Sequence, residues 1–120
     1  MKKLLLAFLL FASVASAQPP ASSNQRFSFD EAAPTLADAQ AYTYKYYPDG
    51  NATGVTFTGV TCSGTASPFL CSVLIPAFTP GNHSITLTAT NVAGESAKSS
   101  PFAFVFVVTP SVPANIRITP

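Results

Sequence analysis

The sequence predicts a small all-β protein that folds as a two-layer antiparallel sandwich. Apolar residues recur at every second position in several short segments, which is the period of a strand with one buried face. Turn signals separate these segments, as in PDGN at 48–51 and TPGN at 79–82. Only APTLADAQA at 33–41 has a helix-compatible composition, and Pro34 and the shortness of the segment favour a loop there. About six short strands with such spacing predict a sandwich.

Each predicted strand has its own apolar pattern. In the second, Tyr42, Tyr44 and Tyr46 share one face, and in the third, Val55 and Phe57 do. The last run is apolar on both faces and uncharged, which makes it the chief risk for self-pairing if its edge is exposed. In chain order the expected strands are RFSFD (26–30), AYTYKYY (41–47), GVTFTG (54–59), LCSVLI (70–75), SITLTAT (84–90) and FAFVFVV (102–108).

The first seventeen residues have the pattern of a cleavable export signal of bacterial type. Lys2 and Lys3 form a charged start, an apolar run follows at 4–12, and the small residues at 15–17 suit a cleavage site. The apolar run is shorter than the roughly 20 residues that a membrane-spanning helix needs. We therefore expect cleavage before Gln18 and a mature protein that is secreted or periplasmic, with no membrane span.

The charge of the mature chain argues against nucleic acid as a partner. The sequence has six Lys and Arg residues and five Asp and Glu residues, and removal of Lys2 and Lys3 would leave four cations against five anions. Binding to phosphates requires clustered Lys and Arg side chains, which are absent from this sequence.

Cys62 and Cys71 are the only two cysteines. In an exported chain such a pair predicts a disulfide. A metal site would need further ligands beyond His83, the only histidine, and a catalytic redox pair would favour the tighter Cys-X-X-Cys spacing. The disulfide is therefore the preferred interpretation.

Several motifs resemble fibronectin type III modules. FTPGNHSITLTATNVAGES at 78–96 is similar to the penultimate strand and following turn of that family, and YTYKYYPDG at 42–50 is similar to its third strand and hairpin. FSFDEAAP at 27–34 resembles the second strand, with Phe29 in place of the usual Trp. The resemblance implies an immunoglobulin-like sandwich over most of 26–108 and places His83 where the family has a corner Tyr, so we expect His83 to be a structural corner residue. Another branch of immunoglobulin-like sandwiches remains an alternative.

These observations divide the chain into four segments. They are a signal peptide at 1–17, an N-terminal segment at 18–25, a fibronectin type III-like domain at 26–109 and a Pro-rich tail at 110–120.

The sequence offers no pattern of a catalytic or cofactor site. His83 has no nucleophile or carboxylate motif with which it would act as a general base. Asp30 and Glu31 with Asp38 or Asp49 lack the tight spacing of oxygen ligands in calcium loops, so solvated loop charges are the simpler interpretation. We expect no enzyme activity, no metal and no cofactor.

The tyrosines suggest the most specific binding surface. The resemblance puts Tyr42 and Tyr44 in the core, which leaves Tyr46 and Tyr47, with Asp49 and Asn51 in the next turn, as candidate contact residues. Two functions follow from this. The first is an exported, non-enzymatic interaction or spacer module that binds a protein or a surface. The alternative is a small carbohydrate-binding accessory module that uses the exposed tyrosines to bind a polysaccharide.

Two asparagines, Asn51 and Asn82, begin glycosylation acceptor patterns. These matter only in a host with the corresponding machinery, and the signal is of bacterial type, so we do not expect glycans.

The tail PSVPANIRITP at 110–120 resembles a linker followed by the first strand of a further module. In contrast, QPPASSN at 18–24 has two prolines and lacks the large apolar residues and the alternation expected of this module's own first strand. The edge beside RFSFD is therefore expected to lack hydrogen-bond partners, and Phe27 and Phe29 are expected to lack part of their cover. Ile116 and Ile118 are candidates for completing the sheet of a neighbouring molecule, which would give head-to-tail self-association. The alternatives are a disordered tail, a strand that extends the domain, and a fragment of a longer array of modules.

Overall fold

The computed structural model describes residues 18–120, so the predicted signal peptide lies outside the described residues. The prediction of an all-β fold is confirmed: nine strands and one short helix form a two-sheet structure over 18–120. The elements are β1 (Pro20–Ala21), β2 (Arg26–Glu31), α1 (Leu36–Ala41), β3 (Thr43–Pro48), β4 (Val55–Thr56), β5 (Thr61–Ser63), β6 (Phe69–Leu74), β7 (Gly81–Asn91), β8 (Gly94–Glu95) and β9 (Phe102–Phe106).

The two sheets differ in size. The larger has the order β1-β9-β7-β3-β4, with β8 paired to β7, and the smaller has the order β2-β6-β5. Every pair is antiparallel except β1 with β9, which is parallel. In the smaller sheet β2 therefore lies at one edge and β5 at the other.

The core lies between the sheets and is rich in aromatic rings. Phe27 from β2 packs edge-on against Phe57 and Phe104, and Phe78, in the loop before β7, contacts Phe27 and Phe104 as well. Phe104 is fully buried. The two-residue period explains this packing, because alternate residues of β2 and β9 point to the same inner face.

Residues 36–41 form a helix, so the prediction of a loop there is wrong. Thr35 caps the helix, since its side chain accepts the Asp38 amide N–H at 3.1 Å. Pro34 precedes this cap and so does not interrupt the helical hydrogen bonds. The helix buries Ala39, whose carbonyl accepts the hydroxyl of Tyr44 at 2.7 Å. It thereby docks onto β3.

Pro20–Ala21, which lies before the predicted domain boundary at residue 26, belongs to the larger sheet. The Val105 N–H donates to the Pro19 carbonyl at 3.0 Å, and the Val107 N–H donates to the Ala21 carbonyl at 2.8 Å. Proline lacks an N–H but keeps its carbonyl, so this edge pairing tolerates the prolines that argued against a strand.

The third predicted strand is shorter than expected, and its two apolar residues do not share a face. Val55 is 44% exposed, whereas Phe57 is buried, because the chain leaves β4 after Thr56. The amide of Phe57 then donates to the Tyr44 carbonyl at 2.8 Å.

The predicted disulfide is confirmed. Cys62 of β5 and Cys71 of β6 are directly opposite each other, with Cα atoms 4.0 Å apart, and their sulfurs are bonded. Gln40 of α1 donates to the Val60 carbonyl at 2.7 Å and accepts the Cys62 amide at 2.8 Å. The disulfide and the helix together hold the short strand β5 in place.

Candidate functional site

Tyr46 and Tyr47 are not exposed, so the prediction that they form a contact surface is wrong. Their exposed fractions are 9% and 8%. Tyr46 points into the core with Tyr44, as the two-residue period requires, and stacks near Phe57 with ring centroids 4.6 Å apart. The carbohydrate-binding alternative therefore loses the residues on which it was based.

Tyr47 lies on the outer face of the larger sheet under a polar cover. Its hydroxyl donates to Glu95, which also accepts the hydroxyl of Thr88 at 2.7 Å. The ammonium of Lys98 lies 4.2 Å from the centre of the Tyr47 ring. The bond to Glu95 raises the pKa of Tyr47, and the same bond lowers the pKa of Glu95. These contacts cover the Tyr47 ring, so it does not form an exposed aromatic surface.

His83 joins three parts of the chain. Its Nδ1 lies 2.7 Å from Oδ2 of Asp49, and its Nε2 lies 2.6 Å from the backbone carbonyl of Thr79. Asp49, in the turn after β3, also accepts the Ser84 amide at 2.9 Å. The hydrogen bond with Asp49 raises the pKa of His83, and the bond with His83 lowers the pKa of Asp49. Asn51 is exposed in the same turn and takes no part in these contacts.

The outer edge of β2 has unpaired backbone groups. The Ile75 amide donates to the Gln25 carbonyl at 2.9 Å, which fixes the alternation between β2 and β6. Because bonded and non-bonded pairs alternate in an antiparallel ladder, the backbone N–H and C=O groups of Arg26, Ser28 and Asp30 point away from β6. Across residues 18–120 no partner strand lies on that side. This edge is the candidate functional site.

An apolar trough runs along this open edge. One hollow of 290 Å³ lies between β2 and the larger sheet, and a second of 190 Å³ continues it toward β1. The two hollows share Arg26, Phe27 and Phe102. The larger one is lined by Arg26, Phe27, Ser28, Phe29, Ile85, Leu87, Ser99 and Phe102. Its wall is therefore largely aromatic and aliphatic, with the free backbone groups of β2 at its rim.

The charged side chains near the edge are placed asymmetrically. The guanidinium of Arg26 donates to the side chain and to the carbonyl of Ser72, both at 3.1 Å. At the other end of β2, Asp30 is exposed and makes no hydrogen bond within the described chain. Burial raises the pKa of the neighbouring Glu31. The exposed carboxylate of Asp30 is therefore the charge that this end of β2 offers to a partner.

Ile116 and Ile118 are 95% and 100% exposed, and residues 107–120 contain no helix or strand. Because both isoleucine side chains are exposed, they do not contact the open edge of their own molecule in this structure. Arg117 donates only to the carbonyl of Asn115, at 3.2 Å.

Comparison with known proteins adds no family: no protein-family model matches the chain, and no curated protein sequence matches it. Within residues 18–120 no group of three or more His, Cys, Asp and Glu side chains is placed to hold a metal ion. No helix in that part of the chain is long and apolar enough to cross a membrane.

The sequence predicted the open edge of β2, but it did not predict which aromatic side chains beside that edge are exposed. The weak N-terminal segment predicted that Phe27 and Phe29 would lose part of their cover. Phe27 is instead buried beneath rings from the larger sheet, and Phe29 is only partly exposed. The exposed ring is Phe102, at 49%. No sequence signal identified Phe102, because its position within an apolar strand is equivalent to that of buried Phe104.

Proposed function

We propose that this chain is an exported, non-enzymatic interaction module that binds an extended segment of a protein partner along the open edge of β2. The observation that carries the proposal is the combination of free backbone groups and an adjoining apolar trough. An extended peptide added to a sheet edge gains main-chain hydrogen bonds, and its alternate side chains enter pockets beside that edge.

The edge is suited to a strand of about six residues. Three residues of β2 offer both a donor and an acceptor, and the trough beside them accepts side chains from one face of an incoming strand. Natural proteins usually protect such an edge with charges, prolines or a covering loop. The stretch from 26 to 30 has no proline, and its Arg26 side chain is bonded elsewhere.

Export and kinship with fibronectin type III modules belong to the same proposal. The Lys-rich, apolar start of the sequence supports export, and the disulfide is compatible with an oxidising compartment. The two-sheet architecture is compatible with an immunoglobulin-like module. Fold resemblance alone identifies no partner, so the binding assignment is based on the edge itself.

Amide hydrogen exchange tests the proposal. The amides of Arg26, Ser28 and Asp30 should exchange fast in the free protein, and those of Phe27 and Phe29 should be protected by their bonds to β6. A panel of peptides that alternate Ile with Thr or Arg should slow the first set on the order of tenfold while leaving the second set unchanged.

Peptides that differ from these only by a central proline serve as the matched control, since proline removes a ladder donor. If no alternating peptide slows exchange at Arg26, Ser28 and Asp30, the edge is not a binding site and the proposal fails.

A further inference from the structure

We propose that the strand that occupies the open edge of β2 is the tail segment 114–119 of a second copy of this chain. The inference rests on the proposed function, because it names the partner of the same edge. Such a contact is heterologous, since the tail of one molecule meets the edge of the next. It therefore generates an open head-to-tail chain of molecules.

The tail has the length and pattern that the trough requires. Residues 114–119, ANIRIT, lie between Pro113 and Pro120 and contain no proline, so every residue retains its backbone donor. They match the six residues of β2. Ile116 and Ile118 are fully or almost fully exposed and would point to one face of an added strand. That face would meet Phe27, Phe29 and Phe102.

Burying the two isoleucines supplies the driving force. Each side chain is exposed in this structure, and removing an exposed apolar side chain from water favours association. The partly exposed ring of Phe102 would be covered at the same time.

Charge favours the same placement. Between Ile116 and Ile118, Arg117 would point to the outer face, which is the face of Asp30 on β2. Opposite charges directly across from each other or on a diagonal of a sheet attract. Arg117 has only a local backbone partner, and Asp30 has none among the described residues.

The tail of the same molecule is less well placed. The Val107 amide bonds to Ala21, so the tail leaves β9 at the end where the chain turns into β2. To lie along its own β2 the tail would have to reverse over residues 108–113, which include Pro110 and Pro113, and it would then run parallel to β2. Parallel pairing is slightly less stable per residue than antiparallel pairing, which a second molecule can adopt.

Two complementary variants test the contact in residues 18–120, which contain every described element. The donor variant carries Ile116→Asp and Ile118→Asp. The acceptor variant carries Ser28→Pro, which removes an N–H that points away from β6 and so spares the β2–β6 ladder. The wild-type mass from light scattering should rise at least about twofold above the monomer as concentration increases. Each variant alone should stay monomeric, and an equimolar mixture should stop at a heterodimer.

Matched controls are Ser28→Ala for the acceptor and Val92→Asp for the donor, since Val92 is also fully exposed but lies in the β7–β8 turn. Both controls should assemble like the wild type. A wild-type protein that remains monomeric at all concentrations overturns the proposal. So does a monomer in which the Arg26, Ser28 and Asp30 amides are protected, because its own tail then fills the edge.

If Ser28→Pro fails to fold, a peptide replaces it. The donor variant is mixed with the synthetic peptide PSVPANIRITP, and a peptide with both isoleucines changed to Asp is the control. Only the first peptide should slow exchange at Arg26, Ser28 and Asp30. If it does not, while other alternating peptides do, the self-assembly inference fails and the proposed function stands. If no peptide does, both fail.

Discussion

Phe102 and Phe104 lie two residues apart on the same face of β9, yet Phe104 is fully buried and Phe102 is 49% exposed. The ring of Phe104 lies within 5.4 Å of Phe27 and 5.1 Å of Phe78, measured between centroids, and His83 stacks at 5.8 Å. Phe102 faces the trough beside β2. The two phenylalanines therefore differ in exposure because their neighbours differ. Phe102 is exposed because, among the described residues, the smaller sheet has no further strand beyond β2 to cover it.

The largest expected effect comes from truncating these two rings separately. Phe104→Ala should lower the free energy of unfolding by about 3–5 kcal/mol, since it removes a buried ring and leaves a cavity. Phe102→Ala should cost less than half of this amount, because half of the ring already faces solvent. Urea unfolding of both variants measures the difference. Equal losses would mean that Phe102 is covered in solution, as it would be if a tail occupied the trough.

The second effect concerns the opposite edge of the smaller sheet, where a disulfide holds β5. Replacing Cys62 and Cys71 with alanine should lower the free energy of unfolding by about 2.7 kcal/mol, the chain-entropy value for so short a loop. The wild type and the variant without cysteines should both fold, because the aromatic core is unaffected. Thermal melts of the variant and of the reduced wild type should agree. An oxidised wild type with two reactive thiols would contradict the disulfide.

The difference between local sequence patterns and contacts with distant residues explains how much of the structure the sequence could predict. Strands β2, β3, β6 and β7 were predictable because each shows a local two-residue pattern, and β9 was predictable because its run of aromatic and β-branched residues has high strand propensity. The helix at 36–41 and the parallel strand at 20–21 were not, because a side-chain cap and two backbone carbonyls hold them in place, and neither depends on periodicity. Tyr47 was misjudged for a similar reason: its cover comes from Glu95 and Lys98, which are distant in sequence.

The third effect tests how tightly the outer face of the larger sheet packs around the Tyr47 side chain. A Cβ atom at Gly54 would lie 2.7 Å from the Tyr47 ring, so Gly54→Ala should displace the ring and cost about 1–3 kcal/mol, as overpacking does. Thr53→Ala, at the exposed neighbouring position, is the control and should be close to neutral. Tyrosine ring resonances in NMR spectra would report the displacement. Unchanged Tyr47 ring resonances in Gly54→Ala would show that the ring is loosely packed.

The smallest effect is the pH dependence of the corner at His83, where the ring is hydrogen-bonded to Asp49 and to the Thr79 carbonyl. Because Asp49 and the Thr79 carbonyl accept from the ring, the pKa of His83 is raised in the folded state, and the charged form stabilises the fold. This contribution is complete below the ordinary pKa of histidine, about 6.5, and is lost as the pH rises through the higher folded-state value.

Asp49 acts in the opposite direction. The pKa of Asp49 is lowered, so its contribution is present at neutral pH and is lost only as strongly acidic conditions protonate it. Melting temperature should therefore fall modestly between pH 6 and pH 8.5. In Asp49→Asn, which keeps an acceptor for the Ser84 amide but lacks the charge, this fall should shrink and shift to lower pH. Identical pH profiles for the two proteins would show that the His83–Asp49 contact contributes nothing to stability in solution.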